Sequence, residues 1–185
     1  MRIVGGALGG RGLTTPRSQA IRPTSDRLRE SIFDILFHAF DDPITDANVI
    51  DLFAGTGALG LEALSRGAKR CLFVDEGAQA RALLRENIDS LALGGVTRIF
   101  RRDATRLGEA PKGEIFSLAF LDPPYGKGLI EPCLNALSQG LWLRDEAILL
   151  VEESAASKII LPKNFTLLDH RRYGDTQINF LTFKN

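Results

Sequence analysis

The sequence has few of the residues that form disulfides and metal sites, with two cysteines and two histidines among 185 residues. Cys71 and Cys133 lie in different predicted elements without paired spacing, so we expect both to be small core residues that form no disulfide. His38 and His170 are isolated from each other and from either cysteine, and we predict no metal. No apolar run approaches the ~18 residues that a membrane span needs, and residues 1–6 lack the apolar core and cleavage site of a secretory signal. We therefore expect a cytoplasmic protein with no membrane partner.

The sequence also lacks an excess of either charge, since 23 Lys and Arg residues balance 23 Asp and Glu residues. Zero net charge argues against a nucleic-acid partner, but the charges are unevenly distributed. Residues 1–30 contain six arginines, five glycines and only two acids. The length is that of one domain. We predict a single domain over residues 1–185, in which residues 1–22 form a flexible basic arm and residues 23–185 the core. A solvated tail without a role is the alternative for the arm.

Apolar strand-like runs alternate with helical periodicity along most of the chain. Strands are predicted at 48–53, 70–75, 97–102, 115–121 and 147–151, and helices at 25–40, from Gly60 to Gly67, at 77–91 and at 128–139. This alternation predicts an α/β fold, a mostly parallel sheet with helices on both faces and right-handed crossovers. Residues 165–173 and 177–183 flank a turn at Gly174–Thr176, which predicts a hairpin and an antiparallel edge.

A glycine-rich turn follows the first predicted strand. Gly55, Gly57 and Gly60, with Asp75 twenty residues beyond Gly55, satisfy the dinucleotide fingerprint. Asp51 argues against NAD, because its carboxylate would face a pyrophosphate drawn to the helix N-terminus. S-adenosylmethionine fits better, since it carries an ammonium and a sulfonium for Asp51 and ribose hydroxyls for Asp75. A turn acid without a ligand role is the alternative for Asp51.

Asp103 ends the next strand in the same way as Asp75 ends the second. Its carboxylate could accept a hydrogen bond from the adenine amine of the cofactor, and a solvated loop acid is the alternative.

Asp122-Pro123-Pro124-Tyr125 follows the buried run at 115–121, at the edge where open α/β sheets bind ligands. Asp122 and Pro123 present a stiff row of acceptors, because prolines restrict the backbone and donate no N–H. Such a row suits a conjugated amine, whose N–H bonds it can hold so that the nitrogen becomes pyramidal and able to attack. Tyr125 can stack on a planar base. A surface turn is the alternative reading of these four residues.

These motifs together resemble class I S-adenosylmethionine-dependent methyltransferases of the amine-methylating type. The likeness to a narrower family, the bacterial 16S ribosomal RNA guanine-N2 methyltransferases, rests on the segments Arg2-Ile3-Val4-Gly5-Gly6, Gly10-Arg11-Gly12-Leu13, Arg22-Pro23-Thr24-Ser25-Asp26-Arg27-Leu28-Arg29-Glu30 and Tyr173-Gly174-Asp175-Thr176. The resemblance covers nearly the full length. It implies a seven-stranded sheet whose last hairpin supplies the antiparallel strand, and methylation of one guanine amine in small-subunit rRNA.

The resemblance also implies roles for individual residues. Arg22, Pro23 and Thr24 would close over the methionine end of the cofactor. The family usually has glutamate where this chain has Asp75 followed by Glu76, so either of the two could hold the ribose. The remaining cofactor contacts are expected from four residues, the backbone of Gly55, Thr56 and Gly57 and, with Asp103 at the adenine, Ala104.

The expected partner is 16S rRNA or a small-subunit assembly particle, bound by a monomer. Because the sheet edge is acidic, we expect cations from the arm, Arg2, Arg11 and Arg17, to contact the RNA. Alternatives are a DNA adenine or cytosine amine methyltransferase and a protein glutamine methyltransferase, both disfavoured by Asp122 in place of asparagine and by the absence of a target-recognition insertion. A non-catalytic RNA-binding module is a third, which the intact glycine loop disfavours.

Overall fold

The computed structural model describes residues 1–16 and 25–185. Arg17, Arg22, Pro23 and Thr24, singled out from the sequence, lie outside the described residues. The helices are α1 (Asp26–Ala39), α2 (Ala58–Ser65), α3 (Ala78–Ser90) and α4 (Ile130–Gln139). The strands are β1 (Asn48–Leu52), β2 (Arg70–Val74), β3 (Thr97–Phe100), β4 (Phe116–Leu121), β5 (Leu143–Ser154), β6 (Phe165–Tyr173) and β7 (Thr176–Phe183).

The strands form one seven-stranded sheet in the order β3-β2-β1-β4-β5-β7-β6. Pairs among β1 to β5 are parallel, and β7 runs antiparallel to both β5 and β6. This confirms the predicted fold class, including the hairpin that supplies the antiparallel strand. The chain direction therefore brings the carboxyl ends of the parallel strands to one edge of the sheet.

Strand alternation divides the core into two layers. On one face Val49, Leu118 and Phe120 pack with apolar residues of α1, α2 and α3. On the other face Ile50 and Leu121 pack with α4. Side chains two residues apart on a strand share a face, so this division fixes the face on which each polar residue at the strand ends lies.

Two element boundaries differ from the predicted ones in a way that matters for the site. The first strand ends at Leu52 and not at 53, because Phe53 adopts a left-handed φ of 60° and turns the chain into the glycine loop. The fifth strand is longer than 147–151. It begins at Leu143, which pairs with Phe116 across a register shift, and it continues to Ser154.

Residues 1–14, predicted as part of a flexible arm, are packed on the core, and that prediction is wrong for this segment. Ile3 is fully buried, and Arg2 forms an antiparallel bridge with Gly12. The backbone N–H groups of Val4 and Gly5 each donate to the buried Glu62 carboxylate, both at 2.8 Å. An apolar anchor and a buried acceptor on α2 therefore hold a segment whose composition is that of a mobile tail.

Among the described residues, the helices are too short or too polar for any of them to cross a membrane.

Candidate active site

Acidic side chains from four strands gather at the carboxyl edge of the sheet. Asp51 is the last residue but one of β1, Asp75 follows β2, Asp122 follows β4 and Glu152 lies near the end of β5. Asp103 follows β3 by a short connection. The topology thus brings together all four acids that the sequence placed at strand ends, and it adds one that was not predicted.

The glycine loop between β1 and α2 has an open side and a packed side. At Gly55, with a φ of 55°, a side-chain carbon added to the backbone would have its nearest heavy atom 3.9 Å away, so the backbone there is accessible to a ligand. At Gly57, with a φ of 81°, that carbon would lie 2.4 Å from Leu84 of α3. Gly57 is therefore required for packing as well as for backbone conformation.

Asp51 is a buried carboxyl under the first turn of α2. It is 2% exposed, and its Oδ2 accepts a hydrogen bond from the Gly60 N–H at 3.0 Å. Burial raises the pKa of Asp51 to about 8, with the nearby charge of Asp75 acting in the same direction and the Gly60 hydrogen bond opposing it. A cation placed against this carboxyl would stabilise its charged form.

Asp75 holds two turns of the backbone. Its Oδ2 accepts from the Gly55 N–H at 2.9 Å and its Oδ1 from the Gly77 N–H at 2.8 Å. Each carboxylate oxygen retains a second lone pair with which to accept from a ribose hydroxyl. Glu76 is exposed, and its backbone carbonyl accepts from Arg81. Asp75 thus orients the glycine loop, while the Glu76 side chain extends from the next position.

Asp103 is the first residue of a turn after β3. Its Oδ1 accepts from the N–H of Thr105 at 2.8 Å and from its hydroxyl at 2.7 Å. These two hydrogen bonds lower the pKa of Asp103, which keeps the carboxylate ionised as an acceptor. Ala104 beside it is buried, at 4% exposure.

Asp122 and Tyr125 lie at the end of β4 against β5. Burial raises the pKa of Asp122 well above its usual range, and the charges of Glu152, Asp51 and Glu153 act in the same direction. The Tyr125 hydroxyl donates to Glu152 Oε1 at 2.5 Å and lies 3.0 Å from the Thr176 hydroxyl. Burial and the Glu152 hydrogen bond both raise the pKa of Tyr125, so its hydroxyl stays protonated.

The two prolines of the motif are placed differently. Pro123 is buried and Pro124 is exposed. Pro123 thus anchors the turn below the crevice, and Pro124 forms its outer surface.

Sequence reasoning missed Glu152 and Glu153, which are 4% and 2% exposed. The signal was present, because both follow the apolar run 147–151 as the other acids follow their strands. Glu153 Oε1 accepts from the N–H groups of Gly126, at 2.9 Å, and Ser154, at 2.7 Å. Glu153 therefore holds the loop that follows Tyr125.

Asn87 of α3, fully buried, is a further residue that the sequence did not indicate. Its Nδ2 donates to the Thr56 carbonyl at 2.9 Å and to the Thr14 carbonyl at 3.1 Å, and its Oδ1 accepts from the Thr14 N–H at 2.7 Å. Asn87 thus connects the N-terminal segment to the glycine loop.

The arginines proposed for RNA contact are on the packed N-terminal segment. The Arg2 side chain is 66% exposed and lies 3.4 Å from Asp26. Arg11 Nη2 donates to the Ser90 carbonyl at 2.8 Å, at the end of α3. Both are positioned by the fold and remain at the surface.

The residues at this edge fit S-adenosylmethionine. The open side of Gly55 admits a ligand to the backbone, Asp51 is a buried acid that a cation would stabilise, and Asp75 has acceptor capacity for hydroxyls. Within residues 1–16 and 25–185, no group of His, Cys, Asp or Glu side chains is arranged to hold a metal ion.

Comparisons with known proteins agree with this site. The family model described as Conserved hypothetical protein 95 matches residues 1–182. Ribosomal RNA small subunit methyltransferase D of Escherichia coli strain K12 is 36% identical over 185 residues, which are 100% of this chain and 89% of that protein. The protein of the same name from Haemophilus influenzae is 32% identical over 176 residues, 94% of this chain and 89% of that protein.

A solved methyltransferase structure from Escherichia coli superposes with a TM-score of 0.84 at 32% identity, covering 100% of this chain and 98% of that chain. The match extends over the sheet, the N-terminal segment and the C-terminal hairpin. The chain therefore belongs to the Conserved hypothetical protein 95 family, the family of small-subunit ribosomal RNA methyltransferases that its motifs resemble, and is a class I S-adenosylmethionine-dependent methyltransferase.

Proposed function

We propose that this enzyme methylates the exocyclic N2 amine of a guanine in small-subunit (16S) ribosomal RNA. The observation that carries the proposal is the desolvated Asp122 carboxyl beside Tyr125, at the edge where the glycine loop opens. The names of the relatives from Escherichia coli and Haemophilus influenzae support an rRNA substrate.

The roles of the cofactor-binding residues follow from their contacts. S-adenosylmethionine supplies an electrophilic methyl group when bound. Asp51 serves its cationic end, the backbone of Gly55, Thr56 and Gly57 lines its path, and Asp75 or Glu76 accepts from the ribose. Asp103 and Ala104 border the adenine. Arg22 and Thr24 are proposed, on the family resemblance, to close over the methionine end.

Asp122 and the Pro123 carbonyl are proposed to accept the two N–H bonds of the target amine. Acceptors fixed in place before the reaction stabilise the developing charge without reorganisation. A raised pKa also makes the Asp122 carboxylate a suitable acceptor for the proton that the amine loses on methylation. The Tyr125 ring would stack on the base, with Pro124 at the outer border of the pocket.

The RNA is proposed to contact Arg2, Arg11 and Arg17, since the edge around the amine pocket is acidic. Arginine suits this role because its planar group binds phosphate through two hydrogen bonds and stacks on unpaired bases. The partner is 16S rRNA or a small-subunit assembly particle.

Labelled S-adenosylmethionine offered with undermethylated small subunits, naked 16S RNA, DNA and a protein pool tests the proposal. Nucleoside analysis of the labelled product should give N2-methylguanosine from one RNA position. Label in N6-methyladenosine, N4-methylcytosine or protein would contradict the guanine assignment, and its absence from every pool would contradict turnover.

A further inference from the structure

Two consecutive buried glutamates at the end of β5 have different surroundings. Successive side chains on a strand point to opposite faces of the sheet. Glu153 accepts two backbone hydrogen bonds, from Gly126 and Ser154, so its carboxylate supports the loop after Tyr125. Glu152 accepts from a side chain, the Tyr125 hydroxyl, on the other face.

Glu152 shares its face with Asp51 and Asp122. Leu150, two residues before it, packs in the same layer as Val49 and Phe120, which precede those two acids by two residues. The register pairs Leu121 with Val151, so the residues that follow, Asp122 and Glu152, are neighbours across the strands. The effect of the Glu152 charge on the pKa of Asp122 agrees with this proximity.

A carboxylate next to the amine-binding group distinguishes the bases. Guanine carries an N1–H beside its N2 amine, whereas adenine and cytosine carry a ring nitrogen with a lone pair beside theirs. An ionised carboxylate only accepts hydrogen bonds, so it pairs with N1–H and repels the lone pair. Enzymes that act on extruded bases recognise them through this Watson–Crick edge.

We propose that Glu152 accepts the N1–H of the target guanine while Asp122 accepts from the amine, which makes Glu152 the specificity-determining residue. The inference rests on the proposed function. The Tyr125 hydroxyl occupies one of the roughly four acceptor positions of the carboxylate and holds Glu152 in register with the stacking ring. Thr176 at the start of β7 supports the same hydroxyl.

The test replaces the target guanine by 2-aminopurine, which keeps the amine and lacks the N1–H. A small-subunit RNA carrying 2-aminopurine at the nucleotide that the unaltered enzyme methylates is compared with the guanine RNA by kcat/KM. Sites that hydrogen-bond a substrate N–H can reject an analogue lacking it by as much as ~10⁴-fold. We expect a preference for guanine of at least ~100-fold, within that limit.

Glu152→Gln should lower that preference by tenfold or more, because the amide can rotate and donate to the N1 lone pair of 2-aminopurine. Glu153→Gln is the matched control, since it is adjacent and equally buried but bonded to backbone. It should keep the unaltered preference even where its rate is lower. Tyr125→Phe should lower the preference partly, through a less fixed Glu152.

The outcomes separate the two proposals. An unaltered enzyme that forms no N2-methylguanosine overturns the proposed function and this inference together. An enzyme that forms it but accepts guanine and 2-aminopurine equally overturns the inference alone, with no variant needed. A folded Glu152→Gln that retains the unaltered preference does the same.

Discussion

Asp51 makes cofactor binding dependent on pH in a way that can be calculated. The carboxyl is 2% exposed, and burial raises its pKa to about 8 from an ordinary value of 3.8. If the ionised form faces the cationic end of S-adenosylmethionine, binding at neutral pH must first remove a proton. A single substitution, Asp51→Asn, removes that proton from the reaction while keeping the size of the side chain.

The magnitude follows from the pKa. A carboxyl with a pKa of about 8 is about 10% ionised at pH 7, so its ionisation costs about 1.4 kcal/mol there and about 2.7 kcal/mol at pH 6. The dissociation constant for S-adenosylmethionine should therefore fall about tenfold per pH unit from pH 6 toward pH 8 and level off above it.

Titration calorimetry in buffers of different ionisation enthalpy measures both quantities, and about 0.9 proton should be released per cofactor bound at pH 7. Asp51→Asn should bind more weakly and with an affinity that varies little over this range. Asp122→Asn distinguishes the contribution of the second desolvated acid. An affinity of the unaltered protein that is flat from pH 6 to 8, without proton release, would refute this account of Asp51.

The same residue affects folding stability with a defined sign. Its folded pKa lies above the unfolded value, so between about pH 4 and 8 the folded protein holds a proton that the unfolded chain has lost. The free energy of unfolding without cofactor should fall as pH rises through this window, by up to about 1.4 kcal/mol per unit from this group. Asp51→Asn should flatten that slope in denaturant titrations.

Three further predictions concern the amine, the ribose and the RNA. Asp122→Ala should leave cofactor affinity nearly intact and lower turnover by ~10²–10³, the usual effect of removing a preorganised electrostatic interaction, and turnover within about threefold of the unaltered enzyme would remove Asp122 from the mechanism. Asp75→Ala should weaken S-adenosylmethionine binding by about 1–3 kcal/mol in calorimetry, and a loss confined to Glu76→Ala would transfer the ribose to Glu76. Substituting Arg2 and Arg11 by alanine should weaken RNA binding and flatten its log–log salt dependence by about 0.7–0.9 for each phosphate that is no longer neutralised, and an unchanged salt series would exclude both.

Local sequence signals predicted the sheet well because each strand has its own pattern. An apolar run followed by an acid marks β1, β2 and β4, and the spacing around Gly174 marks the hairpin. The same rule applied to 147–151 would have included Glu152. The register shift between β4 and β5, which lengthens β5, has no comparable local signal.

The N-terminal segment shows where local composition fails. Glycine and arginine content predicts mobility, but Ile3 is buried against distant elements and Val4 donates to Glu62, 58 residues away. Partners so distant in sequence cannot be identified from the composition of the segment. Deleting residues 1–14 would therefore expose apolar core and leave the buried Glu62 without its backbone donors, so point substitutions are the better test of the arginines.

The position of β7 between β5 and β6 sets an order on the birth of the enzyme. During synthesis, the glycine loop and Asp122 emerge long before Thr176, and until β7 exists β5 has an unpaired edge that is open to pairing with other chains. Tyr125 and Glu152 acquire their Thr176 neighbour only when this strand inserts. A nascent chain can thus form its cofactor loop early, but its base pocket is completed by the last strand to be made.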